Sequence, residues 1–174
     1  DFYQADRSYI FQPDPADPTI WNNTFEWCRS SDVIPQQQNL MGVSEKVLHR
    51  WLELFRQKES VIIFNPELIR KVSPQEYEML HAQDISRLIA SPLYLGEQLF
   101  GFIGVDNPRY FIHDDSHIRV LSSFLLGAVR KKRNDERVSA LLHYEYGDIL
   151  KEMGIGLWVI RKNDRGIDEM LADN

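Results

Sequence analysis

The side chains of this sequence that are best suited to chemistry belong to one cysteine and five histidines. A thiolate is a nucleophile, but a thiol redox cycle also needs a second thiol to resolve the oxidised sulfur. Cys28 is the single cysteine, so one chain cannot complete such a cycle alone. We therefore interpret Cys28 as a small buried thiol beside Trp27, and an enzyme acting through Cys28 is a remote alternative.

The histidines are His49, His81, His113, His117 and His143. His113 and His117 are four residues apart, but Asp114 and Asp115 lie between them at an expected helix start, which favours a solvated cap over a metal site. Of the five, only His81 falls on a helix that could point it towards a pocket. The sequence has no glycine-rich phosphate loop, no paired cysteines at metal-ligand spacing and no HExxH pattern. We predict no catalytic residue, no metal and no identified cofactor.

Composition limits the classes of partner. The net charge is −6 over 174 residues, and acidic and basic residues are mixed, which argues against nucleic-acid binding. The basic block at Arg130–Arg133 is followed by Asp135 and Glu136, so we interpret it as a solvated helix face.

No apolar run is long enough to cross a bilayer, and we expect no membrane contact. A single cysteine and no secretory signal favour the cytoplasm. Because the sequence starts at Asp1 without a methionine, we interpret it as part of a longer protein.

The first half of the chain alternates predicted strands and helices. We predict strands at Ala5–Phe11 and Ile20–Arg29. In the second strand, Trp21, Phe25 and Trp27 occupy alternate positions and are predicted to share one face. The next predicted elements are a helix from an N-cap at Ser44 to Glu59, a short strand at Val61–Phe64, and a helix that begins at Ser73 with Pro74 at its first position.

The segment Ser86–Pro108 predicts a β-hairpin that turns at Gly96-Glu97. Its second strand, Leu99–Asp106, is apolar at almost every position, so we expect it in the middle of a sheet with both faces covered. Gly101 and Gly104 within this strand predict close approach by another backbone or a ligand. Pro92 in the first strand cannot donate to a ladder, and we interpret it as a bulge or a strand start.

The last third predicts one long helix and a separate tail. The helix begins after Asp114-Asp115-Ser116 and carries an apolar stripe from Ile118 to Met153. Strands are predicted near Leu157–Ile160 and from Met170, with a turn between them.

These segments together resemble a GAF domain of bacterial signalling proteins. The resemblance rests on ADRSYIF, a tryptophan-rich strand ending in EWC, SPQEYEML, IASPLYLGEQLFGFIGVDNP and the long terminal helix. It implies an α+β fold with a central antiparallel sheet of five to six strands, helices on both faces and a long C-terminal helix. It divides the chain into a GAF-like domain at residues 1–133, a helical linker at 134–153, and at 154–174 the start of a domain that resembles a PAS domain.

The resemblance also implies a function. It suggests a sensory or regulatory module that is not an enzyme, binds a small molecule or dimerises through the terminal helix, and passes a conformational change along that helix to covalently linked signalling domains. The candidate ligand-binding residues are Trp27, Cys28, Phe64, Tyr77, His81 and Arg87. The Asn-Lys-x-Phe-Asp-Glu pattern of cyclic-nucleotide GAF domains is missing, and so are the motifs around a bilin-bearing cysteine. A dimerisation spacer without a ligand is the alternative, and a methionine sulfoxide reductase is the remote one.

Overall fold

The computed structural model describes residues 2–145, 159–162 and 168–171, with side-chain surroundings for residues 2–137. The chain divides into two compact units, residues 1–126 and 127–174. Its elements are β1 (Arg7–Pro13), β2 (Ile20–Cys28), β3 (Val43–Ser44), α1 (His49–Arg56), β4 (Val61–Ile63), α2 (Pro74–His81), β5 (Leu88–Leu95), β6 (Gln98–Asp106), α3 (Ser116–Glu145), β7 (Val159–Lys162) and β8 (Asp168–Leu171).

The first unit is built on one six-stranded sheet in the order β3-β2-β1-β6-β5-β4. Each neighbouring pair in it is antiparallel. β6 lies between β1 and β5, and all its residues from Gly101 to Asp106 are buried. The predicted α+β fold, the strand number and the central position of Leu99–Asp106 are confirmed.

The hairpin forms as its glycines predict. Gly96 and Glu97 connect the paired residues Leu95 and Gln98, and Gly96 has a φ of 68°, which a residue without Cβ adopts at little cost. A Cβ at Gly104 would overlap the ring of Tyr9 on the neighbouring strand. The tyrosine ring therefore fills the space in which any other residue at 104 would place its side chain.

Alternation along the central strands creates two separate cores, one on each face of the sheet. On the face covered by α1 and α2, Phe102 stacks on Phe11 with ring centroids 4.9 Å apart. Trp21, Trp51 and Phe55 surround the same ring at 5.2–5.7 Å. The other core is aliphatic apart from Tyr3 and includes residues of α3; its buried members are Tyr3, Ala5, Ile89, Leu93, Ile103, Val105 and Ile118.

A β-bulge at Thr24 overturns one sequence prediction. Ile10 pairs with Phe25, but the next residue of β1, Phe11, pairs with Asn23, so Thr24 is an extra residue in β2. A bulge of this kind shifts the alternation of the strand by one position. Trp21 is consequently buried in the aromatic core, whereas Phe25 and Trp27 are on the opposite face. The prediction that the three aromatic residues share a face is wrong.

Two further local predictions are wrong. Ser44 does not cap a helix: it belongs to β3 and pairs with Ile20, and α1 begins only at His49. Pro92 is neither a bulge nor a strand start. It is a regular position of β5 opposite Phe102 of β6, and the pairing of β5 with β4 ends two residues earlier, at Ala90.

Helix α3 begins where the sequence predicts. The backbone N–H of Ser116 donates to the Asp114 carboxylate over 2.9 Å. The helix is described to Glu145, and the predicted continuation to Met153 lies outside the described residues.

In the second unit, β7 and β8 pair antiparallel, with Val159 opposite Leu171; the rest of the predicted tail lies outside the described residues. The PAS-like domain and the boundaries at 133 and 153 stay predictions. No helix in the described residues has the length and apolar content needed to span a bilayer.

Candidate functional site

An apolar groove lies between the sheet and the first turns of α3, and it encloses about 680 Å³. We call it the α3 groove. Its walls are one face of β1, β2 and β6, the segment before β1, and α3 up to Leu125. Its lining residues are Phe2, Tyr3, Gln4, Ala5, Ser8, Tyr9, Ile10, Phe25, Trp27, Ile103, Val105, Ser116, His117, Ile118, Val120, Leu121, Phe124 and Leu125. None of these described lining residues is an acid, a lysine or an arginine.

The bulge at Thr24 turns two aromatic side chains of β2 towards the groove. Because the alternation shifts there, Phe25 and Trp27 face the groove and are 54% and 47% exposed. The opposite wall comes from α3, where Phe124 is 73% exposed. Large aromatic side chains seldom cluster in solvent on a monomeric protein, and such a patch is typical of a surface that binds something.

Two polar side chains of the groove, Tyr3 and His117, lie at its α3 end. The Tyr3 hydroxyl donates to the backbone carbonyl of Asp114 over 2.9 Å and accepts from the backbone N–H of Ile118 over 3.2 Å. Burial raises the pKa of Tyr3, so its hydroxyl stays protonated and keeps donating. The imidazole of His117 stacks on Phe2 with ring centroids 4.8 Å apart. These contacts fix the start of α3 relative to the segment before β1.

The opposite face of the sheet holds a much smaller cavity. It encloses about 20 Å³, and its lining residues are Tyr9, Phe11, Leu40, Leu48, Trp51, Met79, Leu80, Gln83, Ile85, Leu88, Phe102 and Asp106. That volume accommodates about one water molecule. The aromatic core has filled the space between the sheet and the helices α1 and α2.

A buried ion pair borders this small cavity. The Arg7 guanidinium donates to Asp106 over 3.0 Å and to the carbonyls of Ile34 and Gln83 over 3.3 and 3.2 Å. Burial raises the pKa of Asp106 to about 6, although the charge of Arg7 opposes the shift. Burial also raises the pKa of Tyr9, which lies against the same carboxylate. Arg7 therefore links β1, β6, the loop after β2 and the residues after α2.

A second buried carboxylate joins the two helices of that face. Glu76 of α2 is fully buried and accepts from Nε of Arg50 over 2.9 Å and from Nε1 of Trp51 over 2.6 Å. None of the buried charged residues Arg7, Asp106 and Glu76 was predicted from the sequence as a candidate site residue. A signal was present for Arg7, because it occupies the same alternate position of β1 as Tyr9 and Phe11, which face the core.

The predicted ligand-binding residues are not brought together. Trp27 lines the α3 groove, whereas its neighbour Cys28 is on the other face, with Sγ 3.9 Å from a carboxylate oxygen of Glu26. Burial, reinforced by the negative charge of Glu26, raises the pKa of Cys28. A raised pKa makes the thiolate scarce at neutral pH, which disfavours a nucleophilic role.

The remaining candidates lie outside both cavities. Phe64 is half-exposed and packs edge-on against His113. Tyr77 is buried, and its hydroxyl donates to Glu67 over 2.7 Å. His81, which the sequence places on a helix that could point it towards a pocket, is exposed and packs beside the Tyr77 ring. The backbone N–H of Arg87 donates to the Asn107 side chain over 3.3 Å.

No protein-family model and no curated protein matches the sequence. Solved structures do match in fold. The photoproduct state of GAF3 from Slr1393 of Synechocystis is 20% identical, with a TM-score of 0.60 over 77% of this chain and 87% of that chain. The phycocyanobilin-bound GAF domain of a cyanobacterial phytochrome is 15% identical, with a TM-score of 0.59 over 75% of this chain and 78% of that chain.

A third match comes from a different class of signalling protein. It is a domain assigned to a two-component sensor histidine kinase protein of Sinorhizobium meliloti, 20% identical, with a TM-score of 0.54 over 78% of this chain and 86% of that chain. At such identities the likeness concerns the fold alone: the chain has the fold of a GAF domain, as the resemblance of its motifs implies.

Proposed function

We propose that this chain is a sensory or regulatory module of a signalling protein, and that what occupies the α3 groove controls helix α3. One observation carries the proposal: the helix that forms a wall of the groove runs without interruption from Ser116 to Glu145. An occupant that touches Val120 and Phe124 contacts this helix directly. The module needs no catalytic activity of its own to do so.

The α3 groove is favoured over the opposite face because of its size. Small-molecule sites usually enclose about 300–1,000 Å³, and the groove encloses about 680 Å³. A tetrapyrrole such as the phycocyanobilin of the cyanobacterial phytochrome relative has no room in the 20 Å³ beside α1 and α2. An occupant shifts a conformational equilibrium only if it binds the two states with unequal affinity.

The second candidate function is a dimerisation spacer without a ligand. It is favoured by the same aromatic core, since Phe102 and its neighbours fill the face on which a ligand would otherwise insert. In that function the helix joins two chains and carries no signal. The two functions differ in whether filling the groove alters the helix beyond it.

Hydrogen exchange along α3 tests the proposal. Ser8→Trp places an indole in the groove, and Gln98→Trp places one at the exposed end of the hairpin as the matched control. We expect Ser8→Trp, but not Gln98→Trp, to change the exchange rates of α3 amides after residue 126 by several-fold. Unchanged rates in a folded Ser8→Trp protein would refute the regulatory function and favour the spacer. Native mass spectrometry of the wild type adds an independent search for a retained small molecule.

A further inference from the structure

We infer that the α3 groove binds an uncharged amphiphile, with a single apolar chain in the groove and a hydroxylated head in a polar pocket beside it. The inference rests on the proposed function, because it names the class of ligand for the same groove. It concerns residues of the first unit only. Glycerol monoesters of fatty acids are ligands of this class.

A second cavity continues the groove along the same face of the sheet. It encloses about 230 Å³, and Gln12 and Thr24 supply polar side chains to its lining. We call it the Gln12 pocket. Ser8 and Ile10 line the α3 groove, and Gln12 is the next residue of β1 on that face, about 7 Å beyond Ile10. On β2, Thr24 of the pocket directly precedes Phe25 of the groove. The two cavities therefore adjoin.

The polar groups of the Gln12 pocket have hydrogen-bonding capacity left for a ligand. The Thr24 hydroxyl lies 2.9 Å from Oε1 of Gln12 and 3.2 Å from the carbonyl of Ile10, so its one proton is engaged and its oxygen can still accept. Among the described residues, no acceptor pairs with Nε2 of Gln12. A hydroxylated head can donate to Thr24 and accept from Gln12 at the same time.

The charge of the two cavities decides against an ionic head. Their described lining contains no acid, lysine or arginine. An anionic head would find no cation to pair with, and a cationic head would find no carboxylate. Asp14, which contacts the pocket through Asn22, already accepts from that amide over 3.0 Å and from the backbone N–H of Ala16 over 2.8 Å. An uncharged head therefore loses the least when it leaves water.

The length of the site favours a chain over a compact ring system. From Ser8 to Gln12, β1 extends about 13 Å, and a ligand must span that distance to occupy both cavities. The walls that such a chain would cover are apolar and open to solvent: Phe25, Trp27 and Phe124 are 54%, 47% and 73% exposed. Removing this surface from water is favourable in proportion to the apolar area that the chain buries.

Isothermal titration calorimetry of the full 174-residue chain with monodecanoylglycerol, below its critical micelle concentration, tests the inference. We expect a single molecule to bind to each chain. Decanoate and decyltrimethylammonium have similar chains and charged heads, and they should bind at least about tenfold more weakly. Monooctanoylglycerol, which is shorter by two methylene groups, should also bind roughly tenfold more weakly. Failure of the glycerol ester to bind overturns the inference, and so does equal affinity for the three heads.

Two substitutions locate the ends of the ligand. Val120→Glu puts a carboxylate in the groove wall at a position that is 57% exposed, where unfolding is not expected; it should weaken monodecanoylglycerol binding by about 30-fold or more. Thr24→Lys puts an ammonium group in the Gln12 pocket at an exposed residue. It should shift the preference towards decanoate by at least about tenfold.

Leu68→Lys is the matched control, because Leu68 is 62% exposed and lies outside both cavities. It should leave the affinities for the ester and for decanoate unchanged. A Thr24→Lys protein with the wild-type preference contradicts the position of the head. A Val120→Glu protein with the wild-type affinity contradicts the position of the chain.

Hydrogen exchange in α3 separates this inference from the proposed function. If monodecanoylglycerol binds but leaves the exchange rates of α3 amides after residue 126 unchanged, the ligand class stands and the regulatory function is refuted. If the ester does not bind while Ser8→Trp still alters those rates, the regulatory function stands and the ligand class is refuted.

Discussion

Arg7 and Asp106 form an ion pair inside the fold, with Nε 3.0 Å from Oδ2 and side-chain exposures of 4% and 3%. The two residues are 99 positions apart in the chain and are paired across β1 and β6. The pair can therefore form only when the centre of the sheet has folded. Its contribution can be measured as a change in the free energy of unfolding.

The first prediction concerns pH. Because burial raises the pKa of Asp106 to about 6, above the ordinary value of 3.8, the folded chain binds this proton more tightly than the unfolded chain. The resulting stabilisation is present below pH 3.8 and is lost as pH rises through 6. Relative to Asp106→Asn, the unfolding free energy of the wild type should fall by up to about 3 kcal/mol between about pH 4 and 7. Urea titrations of both proteins across this range measure it, and a difference that does not vary with pH would contradict it.

The second prediction removes the cation. Arg7→Met leaves the Asp106 carboxylate buried without its partner, and it also releases the carbonyls of Ile34 and Gln83. We expect a loss of about 3–5 kcal/mol in unfolding free energy. Arg29→Met is the control, since Arg29 is 39% exposed and lies 3.5 Å from Asp6; exposed pairs contribute about 0–1 kcal/mol. Equal losses in the two variants, measured by denaturant unfolding, would refute the prediction.

The third prediction concerns the close approach at Gly104. Gly104→Ala brings a methyl group into the ring of Tyr9, which is 5% exposed and has little room to move. We expect a loss of about 1–3 kcal/mol or more from overpacking. Gly127→Ala is the matched change in α3, where a Cβ meets nothing within 4 Å. It should stabilise the chain by up to about 1 kcal/mol through helix propensity. Thermal unfolding of both variants should show shifts of opposite sign.

The fourth prediction tests the thiol. Because burial and the charge of Glu26 raise the pKa of Cys28, alkylation by iodoacetamide at pH 7.5 should be several-fold slower than for an unstructured cysteine peptide. Glu26→Gln removes the charge and should speed the reaction. If the native thiol reacted faster than the peptide, a nucleophilic role for Cys28 would have to be reconsidered. The unfolded wild type serves as the internal reference.

Local patterns in the sequence determined most of the sheet. The hairpin turn at Gly96, the buried central strand Leu99–Asp106 and the start of α3 at Ser116 each follow from residues within one turn or one strand. Apolar alternation, a glycine that allows positive φ and a carboxylate that caps a helix all act over a few positions. The resemblance to GAF domains rests on the same local motifs, and it was confirmed at the level of the fold.

The tertiary structure decided which face each side chain occupies. The bulge at Thr24 exists because Ile10 pairs with Phe25 and Phe11 with Asn23, and this register depends on a partner strand. It alone carries Phe25 and Trp27 into the α3 groove and leaves Trp21 in the aromatic core. The contact of Arg7 with Asp106 likewise depends on bringing distant strands together. Periodicity in a sequence is a local property, whereas register and long-range pairing are set by the packing of the whole sheet.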